Sequence, residues 1–281
     1  MLKGIGKAGL DNVQNLEELI ILASTNGFDA VDTDFTDLKV FVEEKGENEA
    51  RDFLKVNNIK LGSVSLPVNW RTSDKNFQQS MTDLIESAMI ANKLGCTTFF
   101  TFFFPSTDEY PAAYLIKLTN RLRVCANLLK QYDITLALEF VGPVHLRNKW
   151  KYPFIWDIQS TLEWIDLIGE PNVGIVLDSI HWHTIEGTVK DIKLLKPEQI
   201  AYVHINDAKD IPREEVLDND RLFPGEGAID LVGFLKALQH INYQGIVSQE
   251  ILTIHEPTES SAELAKKSKE AMEYIFNKAG I

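Results

Sequence analysis

Eight short runs of apolar, β-branched and aromatic residues recur along the chain, and they constrain its fold more than any other feature of the sequence. Most of the runs are apolar at consecutive positions, which is typical of parallel strands covered on both faces. In 281 residues they come about every 35 residues, which leaves room for a strand, a crossover helix and two loops in each repeat. The runs span Leu2–Gly6, Phe28–Thr33, Ile59–Leu66, Thr97–Phe104, Ile134–Phe140, Val173–Asp178, Ile200–Asn206 and Gly245–Ile251.

The segments between the runs carry helical periodicity. Leucines 115, 118, 122 and 129 recur at helical spacing behind Pro111, whose place suits the first turn of a helix. Similar stripes predict helices around residues 77–88 and over 231–238, the second with Asp230 as its N-cap. We also predict a terminal helix over 259–278 and a short helix over 189–195.

Strands that alternate with helices, without a linker or a change in composition, predict an α/β protein with a single (β/α)8 barrel over residues 1–281. A doubly wound open sheet is the alternative. Against it, the segment after the first run, residues 4–10, lacks the third glycine of a dinucleotide-binding turn.

The composition excludes several classes of protein. A hydrophobic content of 44% and a charged content of 25% are globular values, so the chain is not expected to be disordered. A net charge of −13 disfavours binding to nucleic acids and anionic membranes. No apolar run of membrane-spanning length occurs, and the N-terminus lacks the apolar stretch of a signal peptide. Cys96 and Cys125 are therefore expected to be buried, reduced thiols of a cytoplasmic protein.

Four successive runs carry a residue that can bind a metal within their last three positions. These residues are Glu139, Asp178, His204 and Glu250. In a barrel, active sites lie at the carboxyl ends of the strands, where the four side chains would converge. Each of them alone could be a helix cap or a structural group, but three carboxylates beside an imidazole would repel one another without a cation. The donor set suits one divalent ion of Mn²⁺, Co²⁺, Mg²⁺ or Zn²⁺.

The segments around these residues resemble the xylose-isomerase-like barrel superfamily, the sugar phosphate isomerase and epimerase group. The resemblance covers nearly the whole chain in strand order, and it is closest to the inosose isomerase and ketose 3-epimerase branches. The segments that carry it are Ala137–Pro143, Val176–His181, Val203–Asp207, Asp220–Asp230 and Ser248–Glu250.

The resemblance implies roles for individual residues. It implies four metal ligands, which are Glu139, Asp178, His204 and Glu250. Glu139 and Glu250 would also be the catalytic acid and base. His181 and Arg221 would bind the substrate, although the loop that carries Arg221 varies in length within the family.

The implied activity is a metal-dependent isomerase or epimerase of a small ketose, polyol-derived ketone or inosose, acting through an enediolate. A dehydratase of the inosose or dehydroshikimate type would use the same site and is the alternative. A catalytically silent sugar-binding barrel would not need both Glu139 and Glu250. A DNA-repair nuclease of the same superfamily would need early histidines, and residues 1–144 contain none.

Further polar residues lie in the loops that follow the runs. Asp207 either orients a metal ligand or caps the next loop. Asp32, near the end of the second run, and Asp34, directly after it, could each bind a substrate hydroxyl. Arg71 and Lys149 are among the few nearby cations, but no phosphate-binding glycine loop is present, which favours an unphosphorylated substrate. The expected partner is a small carbohydrate, without nucleic acid or membrane, and the sequence leaves self-association into a homo-oligomer open.

Overall fold

A computed structural model of the protein describes residues 1–10 and 12–281. Eight parallel strands form a closed barrel, and each of them overlaps one of the eight apolar runs. The barrel strands are β1 (Leu2–Ile5), β2 (Ala30–Thr33), β3 (Lys60–Ser65), β4 (Thr98–Phe103), β6 (Thr135–Phe140), β8 (Val173–Asp178), β9 (Ile200–Ile205) and β10 (Ile246–Gln249). Around the barrel they neighbour one another in chain order, and β10 pairs with β1 to close it. The prediction of a single (β/α)8 barrel is confirmed, and the open sheet is excluded.

Eleven α-helices are present in the described residues, beside two short 3-10 helices at Pro197–Gln199 and Arg213–Glu215, and every predicted helix is among the α-helices. They are α1 (Leu16–Thr25), α2 (Phe35–Lys45), α3 (Glu47–Val56), α4 (Asp74–Lys93), α5 (Pro111–Lys130), α6 (Val144–Arg147), α7 (Ile158–Ile168), α8 (Ser179–Thr184), α9 (Val189–Lys193), α10 (Leu231–His240) and α11 (Ser261–Ala279). The Asp230 side chain caps α10 by accepting the Gly233 N–H at 2.9 Å, and Pro111 occupies the first turn of α5. Local sequence chemistry therefore determines these helix ends.

Within residues 1–10 and 12–281, a two-stranded antiparallel ribbon is the one sheet beyond the predicted strands. It joins β5 (Ser106–Thr107), after β4, to β7 (Tyr152–Pro153), after β6. The Ser106 hydroxyl donates to the Leu146 carbonyl at 2.6 Å and so ties the same two loops together. The ribbon lies in the part of the chain where the barrel strands β4 and β6 end, so it belongs to the rim of the barrel mouth.

Strand β4 shows how the sequence divides its side chains between the core and the mouth. Phe99 and Phe103 are fully buried, and the ring of Phe103 packs edge-on against Trp164 of α7 at 5.0 Å. Phe100 and Phe102 alternate with them and line a cavity at the mouth. This period of two places one set of rings under the helices and the other beside the site.

Both cysteines are buried in the core and unpaired, as expected. None of the helices within residues 1–10 and 12–281 combines the length and the hydropathy needed to cross a membrane.

Candidate metal centre

Four side chains meet at the carboxyl end of the barrel. Glu139, Asp178 and His204 lie on β6, β8 and β9, and Glu250 follows β10 directly. Asp178 and His204 are direct partners in the register of β8 and β9, which brings them to the same height in the barrel. Each of the four residues offers a ligand atom within 4.8 Å of the other three. The structure therefore brings together all four ligands that the sequence predicts.

Direct contacts between the four residues are short. His204 Nδ1 lies 2.9 Å from Glu139 Oε1 and 3.5 Å from Glu250 Oε2. Asp178 Oδ1 accepts the Ile180 N–H at 2.7 Å and so caps α8, while the Asn206 amide donates to both of its oxygens. Glu139, Asp178 and His204 are each at most 4% exposed. These contacts hold the donor atoms in place.

The electrostatics of the cluster provide a test of whether a divalent ion fits. Burial opposes the charged form of His204, but the charges of Glu250 and Glu139 outweigh it and raise the pKa of His204 to about 10. Burial also raises the pKa of Glu139, against the lowering effect of His204. The carboxylates thus draw positive charge into the cluster. A divalent ion bound to these oxygens and to a neutral imidazole would supply that charge, so the residues present fit such an ion.

Arg221 is the second source of positive charge at the cluster. Its Nη1 donates to Asp178 Oδ2 at 3.0 Å and to Glu250 Oε2 at 2.7 Å, and its Nη2 donates to Asp218 Oδ1 at 2.9 Å. Burial favours its neutral form, but these carboxylates hold the pKa of Arg221 above its usual range. The predicted substrate-binding arginine therefore also fixes two of the candidate ligands.

His181 lies beside the same cluster on α8. It is 1% exposed, and its Nδ1 accepts the Gly142 N–H at 3.4 Å. Its Nε2 lies 3.8 Å from Asp218 Oδ1. With Nδ1 as the acceptor, Nε2 carries the proton and is the nitrogen that can donate. Asp218, which the sequence did not single out, therefore links His181 to Arg221.

Asp207 caps the loop that carries Arg221. Its two carboxylate oxygens accept four backbone N–H groups at 2.9 Å each. Those groups belong to Ala208, Gly225, Gly227 and Ile229. At Gly227 a Cβ would lie 2.1 Å from the Ala208 carbonyl oxygen, so only glycine fits beside this carboxylate. Of the two roles considered for Asp207, the hydrogen bonds support the cap.

The two acids of the second run have other partners. Asp32 accepts hydrogen bonds from the hydroxyls of Ser63, Tyr202 and Ser248 inside the barrel. Burial raises the pKa of Asp32, and the hydrogen bonds and His204 oppose that rise. Asp34 caps α2 by accepting the Asp37 N–H at 3.0 Å. Both acids are thus engaged within the protein.

A cavity of about 330 Å³ opens beside the candidate ligands. Four predicted site residues line it, together with aromatic and aliphatic side chains and one further cation. The predicted residues are Glu139, His181, Arg221 and Glu250, and the others include Leu66, Arg71, Phe100, Phe102, Phe104 and Leu252. The ring of Phe100 meets that of His204 edge-on at 5.3 Å. The phenylalanines that alternate along β4 are the sequence signal from which this wall could have been predicted.

Comparison with known proteins agrees with this architecture. The inosose isomerase of Bacillus velezensis is 25% identical over 268 residues, which cover 94% of this chain and 93% of that protein. The structure of a xylose isomerase domain protein from Alicyclobacillus acidocaldarius superposes with a TM-score of 0.92 at 32% identity and covers all of both chains. The IolI protein, whose crystal structure holds a zinc atom, has a TM-score of 0.84 at 21% identity over 99% of both chains, a likeness of fold.

A sequence profile of the xylose isomerase-like TIM barrel family matches residues 20–276. That match includes all but the first of the eight barrel strands and all four candidate ligands. The chain therefore belongs to the xylose isomerase-like TIM barrel family.

Proposed function

We propose that this protein is a divalent-metal-dependent isomerase or epimerase of a small hydroxyketone, such as a ketose, a polyol-derived ketone or an inosose. The observation that carries the proposal is the pair Glu139 and Glu250. Both offer atoms to the candidate metal centre, and both line the same cavity. The inosose isomerase relative, aligned over 94% of this chain, supports the same class of substrate.

The proposed reaction is a proton transfer at the carbon next to a carbonyl. A divalent ion held by Glu139, Asp178, His204 and Glu250 would supply the positive charge that acidifies this C–H bond. One of the two glutamates takes the proton and the other returns one. Return to the opposite face of the same carbon gives an epimer. Return to the neighbouring carbon, with a hydroxyl proton moved from one of the two enediolate oxygens to the other, gives an aldose–ketose isomer.

His181 and Arg221 complete the proposed site. The Nε2 of His181 donates to a substrate oxygen and stabilises the negative charge of the enediolate. Arg221 keeps Asp178 and Glu250 in position, and its guanidinium lines the cavity in which the substrate would lie.

We further propose Mn²⁺ as a suitable ion for this oxygen-rich donor set. The two buried, unpaired cysteines support a reducing compartment such as the cytoplasm. We also propose that the barrel is the only domain of residues 1–281, and that neither nucleic acid nor a membrane is a partner.

The test is hydrogen exchange in D₂O. The Mn²⁺-loaded protein is incubated with a panel of ketoses and inososes, and NMR follows deuterium entry at the carbon next to the carbonyl. We expect exchange and a new epimer or isomer. An ultraviolet-absorbing enone would instead identify a dehydratase, and no exchange with any member of the panel would contradict both enzymes.

Variants of the two glutamates test whether these residues transfer the proton. Glu139→Gln and Glu250→Gln should each lower turnover by about 10²–10⁴-fold, the usual contribution of general acid–base catalysis. Glu49→Gln on the exposed side of α3 is the matched control and should keep full activity. Circular dichroism checks that every variant folds. Normal turnover in Glu139→Gln would refute the acid–base assignment.

A further inference from the structure

Arg71 occupies the cavity of the candidate metal centre without a counter-ion. It follows β3 in the chain and lines the same cavity as Glu139, His181 and Glu250. No ion pair within 4.0 Å connects it to a carboxylate in the described part of the chain, residues 1–10 and 12–281. Arg221, the other cation of this cavity, contacts three carboxylates. The charge of Arg221 is therefore balanced by carboxylates of the protein, whereas the charge of Arg71 is not.

The partners that Arg71 does have leave most of its hydrogen-bonding capacity unused. One N–H donates to the Phe102 carbonyl oxygen. The guanidinium carbon lies 4.2 Å from the centre of the Phe102 ring, 5.3 Å from that of Trp70 and 5.6 Å from that of Phe104. A guanidinium has several N–H donors. A carboxylate or a phosphate can accept two of them at once, whereas an aromatic face offers no such acceptor.

The burial of Arg71 makes the missing counter-ion costly. The side chain is half-buried, and desolvation lowers the pKa of Arg71, with a weaker opposite effect from Tyr114. Desolvation of a cation without an opposite charge is unfavourable, and a ligand that supplies the opposite charge offsets that cost. An anionic ligand in the cavity would do so.

A second cation without an ion pair lies near Phe104, one of the rings that Arg71 contacts. Lys149 Nζ is 5.9 Å from the ring centre of Phe104 and 4.6 Å from that of Trp150. Within the described residues, Lys149 has no ion pair either. Arg71 and Lys149 thus place two cations without an ion pair around Phe104, in a protein whose net charge is −13.

We propose that Arg71 binds an anionic group, a carboxylate or a phosphate ester, on the same hydroxyketone that Glu139 and Glu250 act upon. This inference rests on the proposed function and narrows its substrate class. The sequence favoured an unphosphorylated substrate, which is compatible with the carboxylate, and the phosphate ester is the alternative that the experiment tests. Phe100, Phe102 and Phe104 line the same cavity, with Phe100 in contact with His204 and Phe102 in contact with Arg71. These rings form an apolar wall that can pack against the carbon chain of the substrate. Arg71 recognises either anion through paired hydrogen bonds.

Binding of matched hydroxamates tests the proposal without turnover. Glycolohydroxamate is neutral and resembles an enediolate. Phosphoglycolohydroxamate carries a phosphate on its hydroxyl, and malonohydroxamate carries a carboxylate in place of the hydroxyl. Isothermal titration gives the Kd of each for the Mn²⁺-loaded protein. We expect at least one anionic probe to bind tenfold or more tightly than the neutral one, and the stronger of the two identifies the anion.

Variants test whether Arg71 causes the tighter binding of the anionic probe. Arg71→Gln should remove the tenfold preference and leave the Kd of glycolohydroxamate unchanged, while Arg71→Lys should keep part of the preference. Lys151→Gln removes an exposed cation that stacks on Tyr152, outside the residues that line the cavity, and should change none of the three Kd values. Melting temperatures of all variants separate loss of binding from loss of folding.

The neutral probe distinguishes the two proposals. Equal Kd values for all three probes, or an equal loss for all three in Arg71→Gln, would overturn the anion site and leave the proposed function standing. Arg71-dependent binding of an anionic probe, without binding of glycolohydroxamate and without hydrogen exchange, would overturn the proposed function and leave the anion site standing. Absence of binding by every probe would overturn the anion site.

Discussion

Replacement of Asp207 by asparagine should destabilise the loop that carries Arg221. Asp207 is fully buried, and each of its carboxylate oxygens accepts two backbone N–H groups of the loop at 2.9 Å. An asparagine has one carbonyl oxygen in place of two carboxylate oxygens, and its NH₂ group would face two of the four N–H donors. Asp207→Asn therefore removes two hydrogen bonds and buries two unpaired donors.

The magnitude follows from the hydrogen bonds that are lost. A hydrogen bond to a charged group contributes about 1.5–3 kcal/mol, so two of them contribute about 3–6 kcal/mol. Partial rearrangement of the loop brings the expected loss of unfolding free energy to the lower end, about 3 kcal/mol. That is a large part of the ~5–15 kcal/mol by which a typical domain is stable. Because Arg221 lies in this loop and contacts Asp178 and Glu250, kcat/KM should also fall.

The assay is urea unfolding of the wild-type protein and the variant, followed by circular dichroism. Asp230→Asn is the matched control, since exposed Asp230 accepts a single N–H, from Gly233, as the N-cap of α10. Asparagine caps helices as well as aspartate does, so the control should lose only a few tenths of a kcal/mol. A loss below about 1 kcal/mol in Asp207→Asn, equal to that of the control, would refute this account of the loop.

Two further predictions concern the metal and the thiols. Elemental analysis of active protein should find one divalent ion per chain. Chelation should abolish hydrogen exchange and lower the melting temperature, because an ion that binds the folded state stabilises it. Active protein without metal would contradict the proposed metal centre. Burial raises the pKa of both Cys96 and Cys125 to about 12, so these thiols stay protonated at pH 8 and should react with a thiol reagent only after unfolding. Rapid labelling of the native protein at pH 8 would contradict this burial.

The strands and most helices follow from local sequence. Continuous apolar runs form buried parallel strands because both of their faces are covered, and this holds wherever the strand lies in the barrel. Helix ends such as those at Pro111 and Asp230 depend on residues within one turn, so they too are readable from the chain. The ribbon of β5 and β7 was missed because two-residue strands carry no periodicity.

The candidate ligands were predictable for a different reason. Parallel strands in a closed barrel all end at the same rim, so residues that end successive strands must converge even though they are far apart in sequence. Glu139, Asp178, His204 and Glu250 occupy such positions, and the register of β8 with β9 places Asp178 directly beside His204. Connectivity alone was enough to bring them together.

The tertiary structure decided the roles of the loop residues. The sequence left Asp207 with two roles, and only the path of residues 225–229 around its carboxylate shows that it caps the loop. From the sequence, Arg71 and Arg221 were both cations expected near the site. In the described residues Arg221 has three carboxylate partners, whereas Arg71 has none. Loop conformation depends on long-range contacts that no local pattern encodes. The sequence therefore determined the barrel and the residues at its rim, while the folded loops determined which charges are paired and which remain available to a ligand.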